Sequence, residues 1–289
     1  MSVKKPLLMQ RLFHSERKTK RKAEKMNIWA HRGCSRYLPE NTIPAFTEAA
    51  KLPGICGIET DVQLTRDGEI VIFHDEQTGR VLQESGYVKD YTLAELRRIP
   101  FRLKRNGTMR EGAGQPETER AACYAPEDFY VPTLSEFLEA MKPYCEQNGL
   151  LLNIELKTSV IRYEGIEQKT IDRIRALGME RYIVFSSFLA DSIGLTKQLA
   201  PEMPTGMLAD ALEDCIRKGT PMQADAWHPD AEQLTVSHAD ALMGKPIRAW
   251  NIREILYHSD RTDPGIDYRS LSAQGVTDIF VNEPEKYCG

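Results

Sequence analysis

The stretch from residue 27 to residue 283 alternates short runs of apolar and β-branched residues with longer amphipathic segments. The amphipathic segments predict helices at 42–52, 92–99, 133–149, near 165–178 and near 190–199. The apolar runs predict nine strands, at 28–32, 57–64, 69–75, 151–157, 182–188, 205–210, 224–229, 247–252 and 278–283. Alternation of this kind is typical of a parallel sheet covered by helices.

Two of the nine strands must pair differently from the rest. The turn "TRDG" between strands 57–64 and 69–75 is too short for a parallel crossover, which needs roughly a dozen residues. These two strands therefore form an antiparallel hairpin, and eight parallel strands remain. We predict a (β/α)8 TIM barrel with an antiparallel β-hairpin extension after strand 2. A doubly wound open sheet is the alternative, but the chain has no GxGxxG loop to support it.

Composition predicts a soluble protein. Hydrophobic residues make up 41% of the chain, and no apolar run approaches the roughly 18 residues of a membrane helix. The six cysteines are scattered without a CxxC pair, which is typical of free thiols in a reducing cytosol. No segment resembles the apolar core of a signal peptide. We therefore expect a cytoplasmic protein without stable membrane insertion.

Charge divides the chain into two parts. Residues 1–25 carry nine Lys or Arg and two Glu, a net charge of +7, so the remainder of this −4 chain carries −11. We predict a basic, poorly ordered tail at 1–26 and one barrel domain at 27–289. The tail suits nucleic acid or anionic lipid. The acidic domain argues against nucleic acid as the main partner, and the sequence indicates no oligomeric state.

Polar residues stand at the ends of the first three parallel strands: His31, Arg32, Glu59, Asp61, Glu155 and Lys157. In a barrel of this type the reacting groups lie at the carboxyl ends of the strands. Glu59 and Asp61 are two residues apart, so they share one face of their strand. Three converging carboxylates, with Glu155 as the third, favour a hard divalent cation such as Mg²⁺, Ca²⁺ or Mn²⁺. The alternative is a set of surface salt bridges at strand ends.

The hairpin adds a second histidine to this group. A turn centred on Asp67 and Gly68 places residue 61 opposite residue 74, so His74 is expected beside Asp61. Two imidazoles, His31 and His74, can accept and donate protons near neutral pH. A guanidinium such as that of Arg32 matches phosphate oxygens in pairs. Together with a metal, these groups indicate cleavage of a phosphate ester.

The motifs "AHRG", "PENT" and "GIETDVQLTRDGEIVIFHD" resemble the glycerophosphodiester phosphodiesterase family. The later segments "IELK", "VFSSF", "RAWNI" and "GVTDIFVNEPEKY" also resemble that family, so the similarity runs from about residue 28 to residue 287. The resemblance implies a (β/α)8 barrel that converts a glycerophosphodiester and water to sn-glycerol 3-phosphate and an alcohol. It also implies a route in which the neighbouring glycerol hydroxyl forms a cyclic phosphate that water then opens.

Site roles follow from the same resemblance. It implies an acid/base pair, His31 and His74, and one divalent cation, Ca²⁺ or Mg²⁺, held by Glu59, Asp61 and Glu155. It implies phosphate binding by Arg32 and Lys157, apolar walls from Phe188 and Trp250, and support of the first loop by Glu40 and Asn41. The partner is then a small-molecule glycerophosphodiester.

The sequence departs from the family pattern in places that bear on which alcohol the protein recognises, more than on which reaction it catalyses. The segment 251–265 is atypical, and "AWHPD" makes His228 either a pocket residue or a packing histidine. Lysophospholipid, phosphoinositol or sugar phosphodiesters are therefore alternative substrates. The alternative from another functional class is a catalytically weak barrel that binds phosphodiesters.

Overall fold

A single nine-stranded sheet organises the part of the chain that the computed structural model describes, residues 26–103, 123–234, 244–250 and 268–288. The strands are β1 Asn27–His31, β2 Gly57–Leu64, β3 Ile70–Ile72, β4 Leu151–Leu156, β5 Ile183–Ser187, β6 Thr205–Ala209, β7 Ala226–Pro229, β8 Arg248–Ala249 and β9 Asp278–Val281. The predicted tail, apart from Met26, and the atypical segment 251–265 lie outside the described residues.

Eight of these strands run parallel in the order β7-β6-β5-β4-β2-β1-β9-β8. The two edges of this sheet meet, because parallel bridges join Trp227 to Ile247 and Asp230 to Trp250. The result is a nearly closed barrel, which confirms the predicted (β/α)8 architecture. β3 lies off this ring and pairs antiparallel with the end of β2.

Helices connect the strands and cover the outside of the barrel: α1 Ile43–Ala50, α2 Leu93–Leu96, α3 Leu134–Asn148, α4 Ile166–Leu177, α5 Ala190–Leu199, α6 Leu212–Gly219 and α7 Tyr268–Ala273. α3 illustrates how the sequence sets its bounds. Thr133 and Glu136 form a reciprocal capping box at its start, and Gly149 ends it with φ of 70°. No helix within the described ranges has the length and apolar character to cross a membrane.

The barrel interior is filled by large side chains. Trp29, Val184, Leu208, Trp250 and Phe280 form its apolar cluster. Trp29 is fully buried and lies over Gly57 of the neighbouring strand. A Cβ at position 57 would stand 2.3 Å from the indole ring, so only glycine admits this tryptophan.

The predicted register of the β2–β3 hairpin was wrong by one residue. Val62 pairs with Ile72, and β3 ends there rather than at residue 75. The loop holds five residues instead of four, because Thr65 bonds to Glu69 through both its backbone and its hydroxyl oxygen. Residue 61 therefore lies opposite residue 73, and cross-strand pairing does not position His74.

His228 lies in the barrel interior, as the packing alternative expected. Its side chain is fully buried, and its ring packs on Phe280 with centroids 5.5 Å apart. Gly206 makes room for it, since a Cβ there would stand 2.1 Å from Nε2. Nδ1 has no hydrogen-bond partner in the described structure, and Nε2 lies 3.5 Å from Nη1 of Arg248.

Burial, followed by the charge of Arg248, holds the pKa of His228 well below its usual range. The folded state therefore keeps this imidazole neutral, whereas the unfolded chain takes up a proton below about pH 6.5. Stability should fall as the pH drops below that value. The native protein should lose unfolding free energy between pH 7.5 and pH 5.5. We expect this loss to be about 1 kcal/mol smaller in the His228→Phe variant. Urea titrations at both pH values measure this loss, and an unchanged loss in the variant would contradict the prediction.

Candidate active site

Three carboxylates meet at the carboxyl end of two neighbouring strands. Glu59 and Asp61 point to the same side of β2, and the parallel register aligns Asp61 with Glu155 of β4. All three side chains are buried, and one oxygen of each lies within 4.8 Å of the others. The predicted convergence of these residues is thus present in the fold.

The cluster is strained electrostatically. Burial and the neighbouring charge of Asp61 raise the pKa of Glu59 well above its usual range. The Oδ1 atom of Asp61 is buried without a hydrogen-bond partner among the described residues. A set of buried carboxylate oxygens with an unsatisfied acceptor fits a hard divalent cation such as Ca²⁺ or Mg²⁺.

Two buried cations partly compensate the carboxylates. Nε of Arg32 lies 3.4 Å from Asp61, and Nζ of Lys157 lies 3.1 Å from Glu155. Burial alone would lower the pKa of Lys157, but Glu155 and then Asp61 raise it, so the ammonium stays charged. When all three carboxylates are ionised, as metal ligands must be, they carry three negative charges against these two cations.

The first loop supports the carboxylates through an unusual backbone. Arg32 and Asn41 both adopt the left-handed region, with φ of 56° and 58°. The backbone N–H of Asn41 donates to the carbonyl of Arg32 at 3.1 Å. The side-chain amide of Asn41 donates to Oδ2 of Asp61 at 2.9 Å and accepts from the Thr60 hydroxyl at 3.0 Å. Non-glycine residues held in this region are often functional, because the surrounding contacts must offset the strain.

His31 is held as a neutral base. Its Nδ1 lies 2.7 Å from the amide oxygen of Asn282, which accepts the Nδ1 proton. The lone pair is then on Nε2, which lies 3.8 Å from Oε2 of Glu59. Burial, followed by the charge of Arg32, lowers the pKa of His31 to about 3. The side chain is still 12% exposed, so the imidazole is neutral and accessible at pH 7.

His74 is brought to the cluster by a bend in the chain after β3. The side-chain amide of Gln63 donates to the carbonyls of residues 73, 74 and 75 at 2.8, 3.1 and 2.8 Å. Nδ1 of His74 donates to Asp75 at 2.6 Å, and Nε2 accepts from the ammonium of Lys157 at 3.2 Å. The imidazole thus stands between a carboxylate and a cation at the edge of the site.

Asp75 and Arg80 were not among the predicted site residues. Arg80 donates to both carboxylate oxygens of Glu40 at 2.7 Å and also binds Asp75. Glu40 in turn accepts from Arg32 at 2.9 Å. Arg80 therefore links the support of His74 to the support of Arg32. Asp75 could have been inferred from its position next to His74, but nothing in the polar stretch around Arg80 indicated this contact.

The predicted apolar walls also meet. The rings of Phe188, which follows β5, and Trp250, which follows β8, lie edge to face with centroids 5.8 Å apart. The indole N–H of Trp250 donates to the carbonyl of His228 at 3.0 Å, which fixes the ring. Phe188 is half-buried, so this pair presents an apolar surface at the carboxyl end of the barrel.

Comparison with known proteins gives consistent matches. The profile of the glycerophosphoryl diester phosphodiesterase family matches residues 31–286. A glycerophosphodiester phosphodiesterase of Caldanaerobacter subterraneus subsp. tengcongensis is 35% identical over 261 residues, covering 89% of this chain and 94% of the relative. One from Bacillus altitudinis is 31% identical over 269 residues, covering 90% and 95%. The fold is similar to that of an Oleispira antarctica phosphodiesterase, whose structure was solved in complex with the product sn-glycerol-3-phosphate. The TM-score is 0.67 and the sequence identity is 26%, and the match covers 90% of this chain and 94% of that one.

Proposed function

Since the chain belongs to the glycerophosphoryl diester phosphodiesterase family, we propose that it hydrolyses glycerophosphodiesters to sn-glycerol 3-phosphate and an alcohol. The observation that carries this proposal is the convergence of the carboxylate cluster with His31 and His74 at one end of the barrel. A non-catalytic barrel would not need to keep two imidazoles in defined tautomers beside these carboxylates. The product bound to the Oleispira antarctica phosphodiesterase supports the same substrate class.

Glu59, Asp61 and Glu155 would hold one divalent cation, Ca²⁺ or Mg²⁺. When bound, this cation supplies positive charge to the phosphoryl oxygens as their negative charge grows in the transition state. The chain's own residues set the charge balance of the site. With all three ligands ionised, the cluster carries one net negative charge and would repel a phosphodiester anion, so an added dication is needed to make the site cationic.

Arg32 and Lys157 bind the phosphate in this proposal. Both are buried and charged, and burial makes their interaction with an anion stronger than it would be in water. Phosphate binding draws Lys157 away from His74, which frees Nε2 of that imidazole. Phe188 and Trp250 pack against the glycerol carbons.

The two histidines divide the proton transfers. His31 accepts the proton of the glycerol 2-hydroxyl, whose oxygen bonds to phosphorus as the bond to the leaving alkoxide breaks. Once Lys157 has moved away, His74 takes up a proton from solvent at Nε2 and becomes an imidazolium, which the Asp75 carboxylate at Nδ1 stabilises. It gives the Nε2 proton to that alkoxide. Water then opens the cyclic phosphate with the roles reversed, which restores both histidines and leaves sn-glycerol 3-phosphate.

The test is release of sn-glycerol 3-phosphate from glycerophosphocholine by the full chain, with and without EDTA and with Ca²⁺ or Mg²⁺ added back. We expect activity that is lost on chelation and restored by one of the two cations. A folded protein that releases no sn-glycerol 3-phosphate with either cation, from glycerophosphocholine or from glycerophosphoglycerol, would refute the proposal. Six free thiols support the further proposal that the enzyme works in the reducing cytoplasm.

A further inference from the structure

A cavity of about 530 Å³ is lined by Asp75, whose carboxylate lies 2.6 Å from Nδ1 of His74. Its walls include Asp75, Glu76, Arg80, Ser85, Tyr87 and Val160. Asp75 directly follows His74, and Val160 follows Lys157 by three residues in the loop after β4. The two chain segments that carry His74 and Lys157 thus continue into the cavity walls. The cavity therefore lies beside His74, the imidazole that protonates the leaving alcohol in the proposed reaction.

Most of the charge in the cavity wall is already neutralised. Arg80 binds both oxygens of Glu40 and also Asp75, so neither Arg80 nor Asp75 offers an uncompensated charge. The carboxylate of Glu76 differs, because it makes no hydrogen bond and no ion pair with any described residue. The half-buried Glu76 therefore leaves the cavity with one unpaired negative charge.

The same cavity carries the two exposed large hydrophobic side chains of the described chain. Tyr87 is 41% exposed and Val160 is 72% exposed. The Tyr87 ring already has the Lys89 ammonium 5.6 Å from its centroid, and Asp90 neutralises that ammonium at 2.8 Å. A free carboxylate beside an accessible aromatic ring and an aliphatic side chain is suited to an alkylammonium group.

We infer that this cavity holds the leaving alcohol and selects a cationic amino alcohol, with a quaternary or primary ammonium group. This inference rests on the proposed function, because it names the alcohol released in that reaction. A neutral polyol would gain no charge interaction with Glu76. An anionic alcohol, such as a phosphorylated inositol, would be repelled by it.

The test compares two substrates that carry the same phosphodiester charge. Glycerophosphocholine releases a cationic alcohol, and glycerophosphoglycerol releases a neutral one. Binding is measured by calorimetry in excess Ca²⁺ with a His31→Ala background that slows turnover, and kcat/KM is measured with His31 intact. We expect Glu76→Gln to raise the Kd for glycerophosphocholine about fivefold and to leave that for glycerophosphoglycerol within about twofold. Glu127→Gln is the matched control, because Glu127 is exposed and does not line the cavity.

Each result decides the matter. A loss confined to glycerophosphocholine, absent in the Glu127→Gln control, supports the inference. An unchanged ratio of the two Kd values, an equal loss for both compounds, or binding of neither would overturn it. If the chain binds both compounds but hydrolyses neither, the proposed reaction fails, while the Kd ratio still reports on the cavity.

Discussion

Replacing His31 with alanine lowers kcat for glycerophosphodiester hydrolysis by roughly 10²–10⁴-fold, the range expected for loss of a general acid–base group. His31 is the imidazole whose Nδ1 proton is held by the neutral amide of Asn282 and whose pKa is lowered to about 3. It is therefore neutral at pH 7, and its Nε2 carries the lone pair that accepts the proton. His74 cannot replace it, because its Nε2 lies against Lys157 and its Nδ1 is bound to Asp75. Initial rates at saturating substrate and metal measure the effect.

His228→Phe is the matched control for this substitution. It also removes an imidazole, but one that is fully buried in the barrel interior rather than beside the carboxylate cluster. We expect its kcat to stay within about twofold of the native value. Thermal melts of both variants show whether each is folded. If His31→Ala retains more than about a tenth of the native kcat, His31 takes no part in proton transfer.

The carboxylate cluster could be predicted because it depends only on regular geometry. Alternate residues of a strand share a face, so Glu59 and Asp61 had to lie together. Parallel strands end at the same edge of a barrel, so Glu155 had to lie near them. The eight-stranded barrel followed from the same kind of argument, since a four-residue turn cannot carry a parallel crossover.

The surroundings of His74 could not be predicted, because they depend on irregular loops. A fifth loop residue, enforced by Thr65, shifted the hairpin register that had placed His74 beside Asp61. Its true position depends on Gln63, whose amide binds three successive carbonyls beyond the strand. The Arg80 contacts join segments 40 residues apart. Such contacts carry no local sequence signal, since they arise only after the chain has folded.

Glu59→Gln should abolish activity and at the same time stabilise the metal-free protein. Loss of one ligand oxygen is expected to lower kcat/KM by more than about 100-fold, since even residues behind a metal ligand contribute 10–100-fold. We expect addition of Ca²⁺ or Mg²⁺ to raise the melting temperature of the native protein, because a ligand at 100 times its Kd stabilises by about 2.7 kcal/mol. This increase should disappear in the variant. Glu139→Gln on the exposed surface of α3 is the matched control and should keep both activity and the response to metal.

The stability effect follows from the sign of the pKa shift. Burial and Asp61 raise the pKa of Glu59, so the folded metal-free protein favours the protonated form, and its stability falls as pH rises above the unfolded value of about 4.3. Glutamine is neutral at every pH and can still accept the hydrogen bond from the Arg32 backbone N–H, which lies 3.2 Å from Oε2. We therefore expect Glu59→Gln to raise the unfolding free energy at pH 7 by about 1 kcal/mol without metal. Denaturant titrations in EDTA measure this change. If the Glu59 carboxylate serves metal binding, the metal-free fold is more stable without its charge. A clear destabilisation by Glu59→Gln would instead show that Glu59 stabilises the fold as a partner of Arg32.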